Sequence, residues 1–236
     1  MEFLRSLPAG GTLFNMAAVL LGGGIGLTAG RFIPERLHGS IFNGFGLFTT
    51  YLGLSMAMET KHALAVLLSL VLGTIIGDLC NLDLRLNGLG DTLKARMRIS
   101  NSRFTEGFVT STLLFCIGAM AIVGAFEDGL RHNPTLLVTK GVMDGIAALL
   151  FASSFGVGVL FSVIPMFVYQ AGLTLLASWA EGLITPDMIA NISGLGGLMI
   201  LGIGLNLLKI TRLRLCDMLP GLILIVPFTL LFARVG

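Results

Sequence analysis

Charged residues are scarce in this sequence, and their scarcity argues against a soluble protein. Asp, Glu, Lys and Arg make up only 12% of the 236 residues, whereas 55% are hydrophobic. A soluble domain has about 25% charged residues. The mean hydropathy is +0.92. These values predict an integral membrane protein whose residues 1–236 form a single transmembrane domain with no room for a soluble one.

The sequence also has few of the residues from which metal sites are built. Its three cysteines lack the paired spacing of a zinc or redox motif, and its three histidines fall in loops without partners at ligand spacing. These residues are Cys80, Cys116, Cys216, His38, His62 and His132. We therefore expect free thiols, no metal site and no cofactor.

Signatures of catalysis and of nucleic-acid binding are missing as well. There is no G-x-x-x-x-G-K-[ST] loop, no G-x-S-x-G elbow, no HExxH helix, and no Ser/His or paired-Asp arrangement for intramembrane proteolysis. The net charge is only +2, and no basic cluster is interleaved with aromatic residues. We predict that the protein is not an enzyme, does not bind nucleic acid, and has the lipid bilayer as its surroundings.

Long apolar runs separated by short polar segments predict an all-α polytopic helical bundle of seven to eight spans. Because buried membrane helices are apolar on all sides, length and flanking charge delimit these spans better than periodicity does. The eight predicted spans are 11–30, 41–58, 63–79, 108–126, 135–153, 156–177, 192–208 and 219–232. In the first of them, Gly22, Gly26 and Gly30 form overlapping GxxxG steps, which predict close helix packing.

The segment 81–103 is the one long polar connection of the sequence. Leu82, Leu86, Leu89, Leu93 and Met97 recur in it at steps of three and four. Its charge is mostly basic, supplied by Lys94, Arg96, Arg98 and Arg103 among others. Two interpretations stay open: an amphipathic helix lying on an anionic leaflet, and a solvated basic loop.

The distribution of basic residues predicts the orientation of the chain. With eight crossings, the loops after the odd-numbered spans share one side and carry Arg31, Arg36, Arg85, Lys94, Arg96, Arg98, Arg103, Lys209, Arg212 and Arg214. The opposite side, termini included, carries only Arg5, Lys61, Arg131 and Arg234. By the positive-inside rule, segment 81–103 is cytoplasmic and both termini lie outside.

Glycine patterns predict an internal repeat. Gly46-Leu47 through Gly53-Leu54 and Gly197-Leu198 through Gly204-Leu205 both read GL, five residues, GL, at an offset of 151. Upstream of these motifs, Pro34-Glu35 and Pro186-Asp187 correspond at an offset of 152. Two GLT triplets, at 26–28 and 172–174, correspond at an offset of 146. Spans 1–3 (residues 11–80) would then correspond in inverted orientation to spans 6–8 (residues 156–234), around a central hairpin at 107–153. Inverted repeats are typical of secondary transporters.

Four ionisable residues lie in or beside the central hairpin. Glu127 and Asp128 end one apolar run, and Lys140 and Asp144 lie inside the next, four residues apart and on one helix face. Each charge at membrane depth costs roughly 2.5 to 3.5 kcal/mol on insertion scales, so such residues indicate function. Asp144, with Glu127 or Asp128, would coordinate a cation or take up a proton while Lys140 competes for the same acid. In the structural alternative, the pair only pins helices and residues 127–134 form a wet loop.

Two amides and the glycine faces complete the set of candidates. Gln170 and Asn206 would line the path of a cation or polar solute, or would instead hold helices together. The small-residue faces make a homo-oligomer plausible.

Specific segments of the sequence resemble a known family. TLLFCIGAMAIVGAFEDGL, TKGVMDGIAALLFASSFGVG and GLGGLMILGIGLNLLKI resemble the bacterial DUF554 family of multispanning inner-membrane proteins. The resemblance covers nearly the whole chain, and its FCxGxMAIxGxxxDG and KxxxDG segments are specific to that family. It implies a bacterial inner-membrane location, and it supplies neither a substrate nor a mechanism.

Together these patterns predict a transport protein or channel for a small ion or polar solute. The substrate- or ion-binding residues are predicted to be Glu127, Asp128, Lys140, Asp144, Gln170 and Asn206. The alternative is a non-transporting membrane scaffold in which the Lys-Asp pair is structural and the glycine faces serve oligomer packing.

Overall fold

The computed structural model of the protein describes residues 4, 7, 9–30, 32, 35–117, 119–180 and 185–233. The residues Arg5, Arg31, Pro34 and Arg234, which enter the predictions above, lie outside this part of the chain. Within it, the chain is helical with connecting turns and contains no β-strand, so the predicted all-α class is confirmed.

Eleven α-helices follow one another along the described residues, with one 3-10 turn at Leu215–Met218. They are α1 Gly10–Gly30, α2 Glu35–Ala57, α3 Ala63–Leu79, α4 Leu82–Arg96, α5 Phe104–Cys116, α6 Ala119–Arg131, α7 Thr135–Phe155, α8 Gly158–Phe161, α9 Val163–Ala180, α10 Pro186–Leu207 and α11 Gly221–Ala233. The basic segment 81–103 is therefore largely helical, as one of its two interpretations proposed.

The described part of the chain contains five to seven candidate membrane spans. Five helical stretches are long and apolar enough to cross a bilayer: α1, α7, Gly158–Ala177, α10 and Leu215–Phe232. Two bent pairs, α3 with α4 and α5 with α6, raise the number to seven if each pair forms one span. The helix α2 occupies the place of the second predicted span without meeting the same criteria, so eight spans are not confirmed.

The fourth predicted span, 108–126, was wrong in being drawn as one continuous helix. In the structure, α5 ends at Cys116, α6 begins at Ala119, and the two helices are bent by 58°. The residues on either side of the break, Cys116, Ile117 and Ala119, are apolar, so neither length nor hydropathy carries a signal for it. The sixth predicted span, 156–177, is also interrupted: one helix ends at Phe161, the next begins at Val163, and Pro165 lies in the first turn of the latter, where proline is tolerated.

Contacts divide the chain into two compact units. Unit 1 comprises Met1–Gly39, Leu89–Cys116 and Met120–Leu183, and unit 2 comprises Ser40–Gly88, Ile117–Ala119 and Ile184–Gly236. Each unit combines segments from both halves of the chain. The two units therefore do not coincide with the predicted repeat units 11–80 and 156–234, and the inverted repeat stays a prediction.

The core of unit 1 is a parallel pair of helices, α1 and α7. A Cβ added at Gly22 would collide with the carbonyl oxygen of Gly145, and one at Gly30 would lie 2.7 Å from the carbonyl oxygen of Ser153. A Cβ added at Gly26 would likewise collide with the carbonyl oxygen of Leu149. The predicted GxxxG steps of α1 therefore allow the two backbones to touch.

In unit 2, α2 and α10 pack antiparallel through the two GL motifs. A Cβ at Gly53 would lie 2.7 Å from the Gly197 carbonyl oxygen, and one at Gly197 would lie 2.6 Å from that of Gly53. Gly46 and Gly204 approach each other in the same reciprocal way. The two copies of the repeated motif are thus each other's packing partners.

Three helices have backbone N–H groups near their first turn bound by side chains distant in sequence. Asp128 accepts from the N–H of Gly11 at the start of α1, and Asp217 accepts from the N–H of Asp83 at the start of α4. Asn191 accepts from the backbone N–H groups of residues 61 and 62, just before α3. These contacts satisfy donors that a helix cannot bond internally. They fix helix starts within each unit.

Candidate functional site

The buried ion pair of Lys140 and Asp144 lies on α7 in unit 1. Its two side chains are one helical turn apart, and the ammonium of Lys140 donates to Oδ2 of Asp144. Their side chains are 7% and 10% exposed respectively. Gly141, between them in sequence, lets α1 approach so closely that an added Cβ would lie 3.0 Å from Cα of Asn15. The pair is thereby pressed against α1.

Asn15 of α1 ties the ion pair to a third helix. Its side chain is fully buried, and its Nδ2 donates to Oδ2 of Asp144 at 3.0 Å and to Oε1 of Gln170, on α9, at 3.2 Å. Gln170 is fully buried as well. We call these four residues, Asn15, Lys140, Asp144 and Gln170, the polar cluster.

The hydrogen bonds of the polar cluster leave two atoms without partners. An ionised carboxylate only accepts, so the amide nitrogen of Asn15 must face Asp144, and Gln170 must then turn its oxygen toward that nitrogen. Oδ1 of Asn15 and Nε2 of Gln170 are consequently unpartnered in the structure. A buried polar atom without a partner costs about 1 to 3 kcal/mol. The cluster therefore has unused capacity to bind a polar group.

Hydroxyl groups on the same helices extend this unused capacity. Three buried hydroxyl oxygens of unit 1 are without partners, those of Thr12, Ser111 and Thr112. Thr12 lies three residues before Asn15 and hence on the same face of α1. On α5, Thr112 precedes Cys116 by one turn, and Cys116 lies within electrostatic reach of both Lys140 and Asp144. Helices α1, α5, α7 and α9 thus all present polar groups to the region around the ion pair.

The electrostatics of the polar cluster are balanced only while both charges are present. The charges of Lys140 and Asp144 sum to zero, and the side chains of Asn15 and Gln170 are neutral. Removing one member of a buried ion pair costs about 3 to 5 kcal/mol because the other charge is left uncompensated. A ligand that enters this cluster must therefore preserve its neutrality or exchange a proton for its own charge.

The two acids predicted to join the ion pair, Glu127 and Asp128, have their hydrogen-bond and ion-pair partners elsewhere. Asp128 is 4% exposed, and its Oδ2 accepts from the Gly11 N–H at 3.0 Å. Glu127 forms an ion pair with Arg131 at 2.8 Å, one turn away on α6. Residues 127–131 are helical, so the interpretation of 127–134 as a wet loop is wrong for that part. Asp128 has the geometry of a helix cap, and the role of both acids in binding stays a prediction.

Asn206, the sixth predicted site residue, lies in unit 2 at the end of α10. Its Nδ2 donates to the carbonyl oxygen of Leu213, while its Oδ1 accepts from Leu213 N–H and from the Thr211 hydroxyl, all three at 2.9 Å. These bonds fasten the loop that follows α10. Both polar atoms of the side-chain amide thus bond that loop.

Asn15 is the functional candidate that the sequence prediction left out. A single amide in an apolar span is expected to bond a neighbouring helix, and that was the available signal. Its partner could not be identified, because 129 residues separate it from Asp144.

Comparisons with known proteins relate this chain to one protein family. The family described as "Protein of unknown function (DUF554)" matches residues 10–230. The uncharacterized membrane protein YdfK of Bacillus subtilis (strain 168) is 32% identical over 218 residues, which cover 91% of this chain and 93% of YdfK. The uncharacterized protein YqgA of Escherichia coli (strain K12) is 32% identical over 226 residues, 93% of this chain and 95% of YqgA. No solved structure matches the chain significantly. The chain therefore belongs to the DUF554 family, and it is an all-helical membrane protein of that family.

Proposed function

We propose that this protein transports a small ion or polar solute across the bacterial inner membrane, and that the polar cluster is its binding site. The observation that carries the proposal is the buried pair of Lys140 and Asp144 with unpartnered amide atoms beside it. Ionisable residues inside membrane helices are costly, and they usually mark ion and substrate pathways.

The unpartnered atoms favour a binding site over a purely structural pair. Most buried polar side-chain atoms in native structures have a partner, so each exception requires an explanation. Here the exceptions are Oδ1 of Asn15, Nε2 of Gln170 and hydroxyls on α1 and α5. A transported ion or solute, with its remaining water, would supply the missing partners.

Interrupted helices give a second argument. Transporters commonly place their sites where helices are broken, because a break frees backbone groups for the substrate. The break between α5 and α6 follows Cys116 directly, and the one between α8 and α9 precedes Gln170 by two turns. Two of the helices that contribute to the region around the ion pair are therefore interrupted nearby.

The proposal includes the orientation inferred from the basic residues. Segment 81–103, with Lys94 and Arg96 at the end of α4, lies in the cytoplasm, and both termini lie outside. That orientation requires an odd number of crossings before segment 81–103, so α1, α2 and α3 must each cross the membrane. Labelling of single cysteines from outside intact cells tests it: a cysteine at position 94 should be protected and one at position 131 should react.

The scaffold alternative loses part of its support. The predicted homo-oligomer depended on free glycine faces, whereas Gly22 and Gly26 are occupied by α7, and Gly53 by α10. We retain oligomerisation as a separate question and propose transport rather than a structural or catalytic role.

Proteoliposomes on a solid-supported membrane test the proposal. Steps in Na⁺, K⁺, H⁺, Cl⁻ and small metabolites should include one that evokes a current in the wild type and none in Asp144→Asn. Asp217→Asn is the matched control, since Asp217 is also buried but caps α4 in unit 2. Silence across the panel from folded protein, or an unchanged current in Asp144→Asn, would refute the proposal.

A further inference from the structure

The connection between α10 and the candidate span Leu215–Phe232 is short and basic. Residues 209–214 of it read KITRLR, and we call them the KITRLR loop. Since the helical stretches on both sides are long and apolar enough to cross a bilayer, we expect this loop at a membrane surface. We propose that it binds the phosphate headgroups of anionic phospholipids in the adjoining leaflet. The proposal goes beyond transport and does not involve the polar cluster.

The KITRLR loop is held in a defined conformation. It begins in a Schellman motif, in which the N–H of Lys209 bonds the carbonyl oxygen of Asn206 at 3.0 Å. In the same motif the N–H of Ile210 bonds the carbonyl oxygen of Leu205, also at 3.0 Å. The side chain of Asn206 bonds residues 211–213 as described above. Little ordering of the loop backbone is therefore needed when a lipid binds.

Two cations of the KITRLR loop are available to a ligand. The side chains of Lys209 and Arg212 are exposed, and neither forms an ion pair within the part of the chain that the structure describes. Arg214 instead pairs with Asp78, and its Nε lies 3.5 Å from Oδ2 of Asp217. Because Arg214 engages these two acids, Lys209 and Arg212 keep their charges for a phosphate group.

The helix dipole does not account for both of these cations. Lys209 has a φ of 58°, in the left-handed region, where glycine or asparagine is the usual residue at the end of a helix. A cation at the carboxyl end of α10 is favoured by the dipole, which offers one reason for a lysine there. That effect is confined to the last turn, whereas Arg212 lies beyond the helix. An anionic leaflet attracts both side chains.

Apolar side chains alternate with the cations. The residues Ile210 and Leu213 are 66% and 41% exposed. In a segment at a membrane surface, such side chains reach toward the acyl chains while basic ones meet the headgroups. A soluble phosphate would use the cations alone and leave the apolar side chains in water. The alternation therefore favours a lipid over a free anion.

Contacts within unit 2 indicate which leaflet this is. The pair of Arg214 and Asp78 joins the KITRLR loop to the last turn of α3, so α3 and α10 end at the same surface. In the orientation proposed above, α3 ends on the cytoplasmic side, because segment 81–103 follows it. Cytoplasmic leaflets carry anionic lipids that attract basic segments beside membrane helices.

Native mass spectrometry of the detergent-purified full chain measures lipid binding directly. Palmitoyl-oleoyl-phosphatidylglycerol and the corresponding phosphatidylcholine are titrated separately, and glycerol 3-phosphate is added as a soluble competitor. We expect the first phosphatidylglycerol to bind more tightly than phosphatidylcholine and to resist an equal concentration of glycerol 3-phosphate. Each Lys or Arg near an anionic surface contributes about fivefold, so Lys209→Asn combined with Arg212→Gln should reduce the preference about 25-fold.

Two features of the variants separate lipid binding from folding. Asparagine adopts the left-handed conformation more readily than lysine, so Lys209→Asn should unfold at no lower temperature than the wild type. Lys61→Asn is the matched control, since Lys61 is also an exposed lysine of unit 2. Its backbone N–H bonds Asn191, near the opposite end of α10. The lipid preference of Lys61→Asn should equal that of the wild type.

Four results would overturn the inference. They are equal binding of both lipids to the folded wild type, an unchanged preference in the folded double variant, an equal loss in Lys61→Asn, and displacement of phosphatidylglycerol by glycerol 3-phosphate. The last result would assign the KITRLR loop to soluble anions instead of lipids. If the double variant does not fold, Arg212→Gln alone decides, with an expected loss of about fivefold.

Discussion

Asn15 and Asp144 are joined by a hydrogen bond of 3.0 Å, although 129 residues separate them in the chain. The bond connects two parallel helices whose backbones touch through glycine about two and three turns farther along, at Gly22 and Gly26. The glycine contacts bring α1 and α7 close, and this closeness lets an amide on one helix reach an acid on the other. Packing and polar chemistry in unit 1 therefore depend on the same pair of helices.

Replacing Asn15 by Leu should weaken both packing and transport. The change removes a donor to a charged acceptor, worth about 1.5 to 3 kcal/mol, and leaves Asp144 and Gln170 with one partner fewer. We expect a lower unfolding midpoint in detergent and loss of current in proteoliposomes. Asn87→Leu is the control, since the side chain of Asn87 bonds Asp83 on its own helix. Equal effects of the two substitutions would contradict the role given to Asn15.

Two glycines of α1 should respond in opposite ways to alanine. A Cβ at Gly22 collides with the backbone of Gly145, which cannot move without displacing α7, whereas a Cβ at Gly24 has no atom within 4 Å. Gly22→Ala should therefore destabilise the protein, while Gly24→Ala should stabilise it by up to about 1 kcal/mol through helix propensity. Unfolding midpoints of the two variants measure this, and a stable Gly22→Ala protein would show that α1 and α7 are less tightly packed.

Asp128→Ala should reduce stability and leave transport measurable. The carboxylate caps the start of α1 through Gly11, and loss of such a cap costs about 0.5 to 2 kcal/mol. Because Asp128 binds outside the polar cluster, we expect the substrate concentration for half-maximal current to stay within a few-fold of wild type. A complete loss of current from folded Asp128→Ala would return this acid to the binding site.

The double variant Lys140→Met with Asp144→Leu should be more stable than either single variant. Each single substitution strands a buried charge, at a cost of about 3 to 5 kcal/mol, whereas the double substitution removes both. Unfolding midpoints of all four proteins give the coupling between the two residues. The double variant should fold and carry no current, and a current would assign the pair a purely structural role.

Asn206→Ala should loosen the loop after α10 without lowering the stability of the rest of the protein. The three bonds of Asn206 hold residues 211–213, and Lys209 and Arg212 beside them are exposed. We expect faster tryptic cleavage at these two positions with an unchanged unfolding midpoint. If cleavage is not accelerated, the loop is held by other contacts.

The sequence was sufficient to predict the helices and the central ion pair. Lys140 and Asp144 are four residues apart, and that spacing alone places them on one face, as the structure has them. The pairing of distant elements was not predictable in the same way. Nothing near Asn15 identifies Asp144 as its partner, and nothing near Asp128 indicates that it caps a helix 117 residues away. Local rules do not describe such contacts.

Helix breaks were the other failure. The break between Cys116 and Ala119 lies inside an unbroken apolar run, so hydropathy places a single span there. The loop contacts of Asn206 were hidden for a related reason: its position at a helix end is visible in the sequence, but the fold of the following loop is not. Its role as a lining residue stays a prediction. Both cases concern how the backbone turns within or after an apolar segment.

The parallel contact of α1 and α7 also bears on how the chain is made. At roughly 5 to 20 residues per second, about 6 to 26 s pass between synthesis of Asn15 and of Asp144. Throughout that interval the amide of Asn15 lacks its acid, and the glycine face of α1 lacks the helix that fills it. A nascent chain that stops before Asp144 therefore lacks the contacts that close unit 1. The first helix is synthesised early in translation, whereas its packing against α7 can form only late.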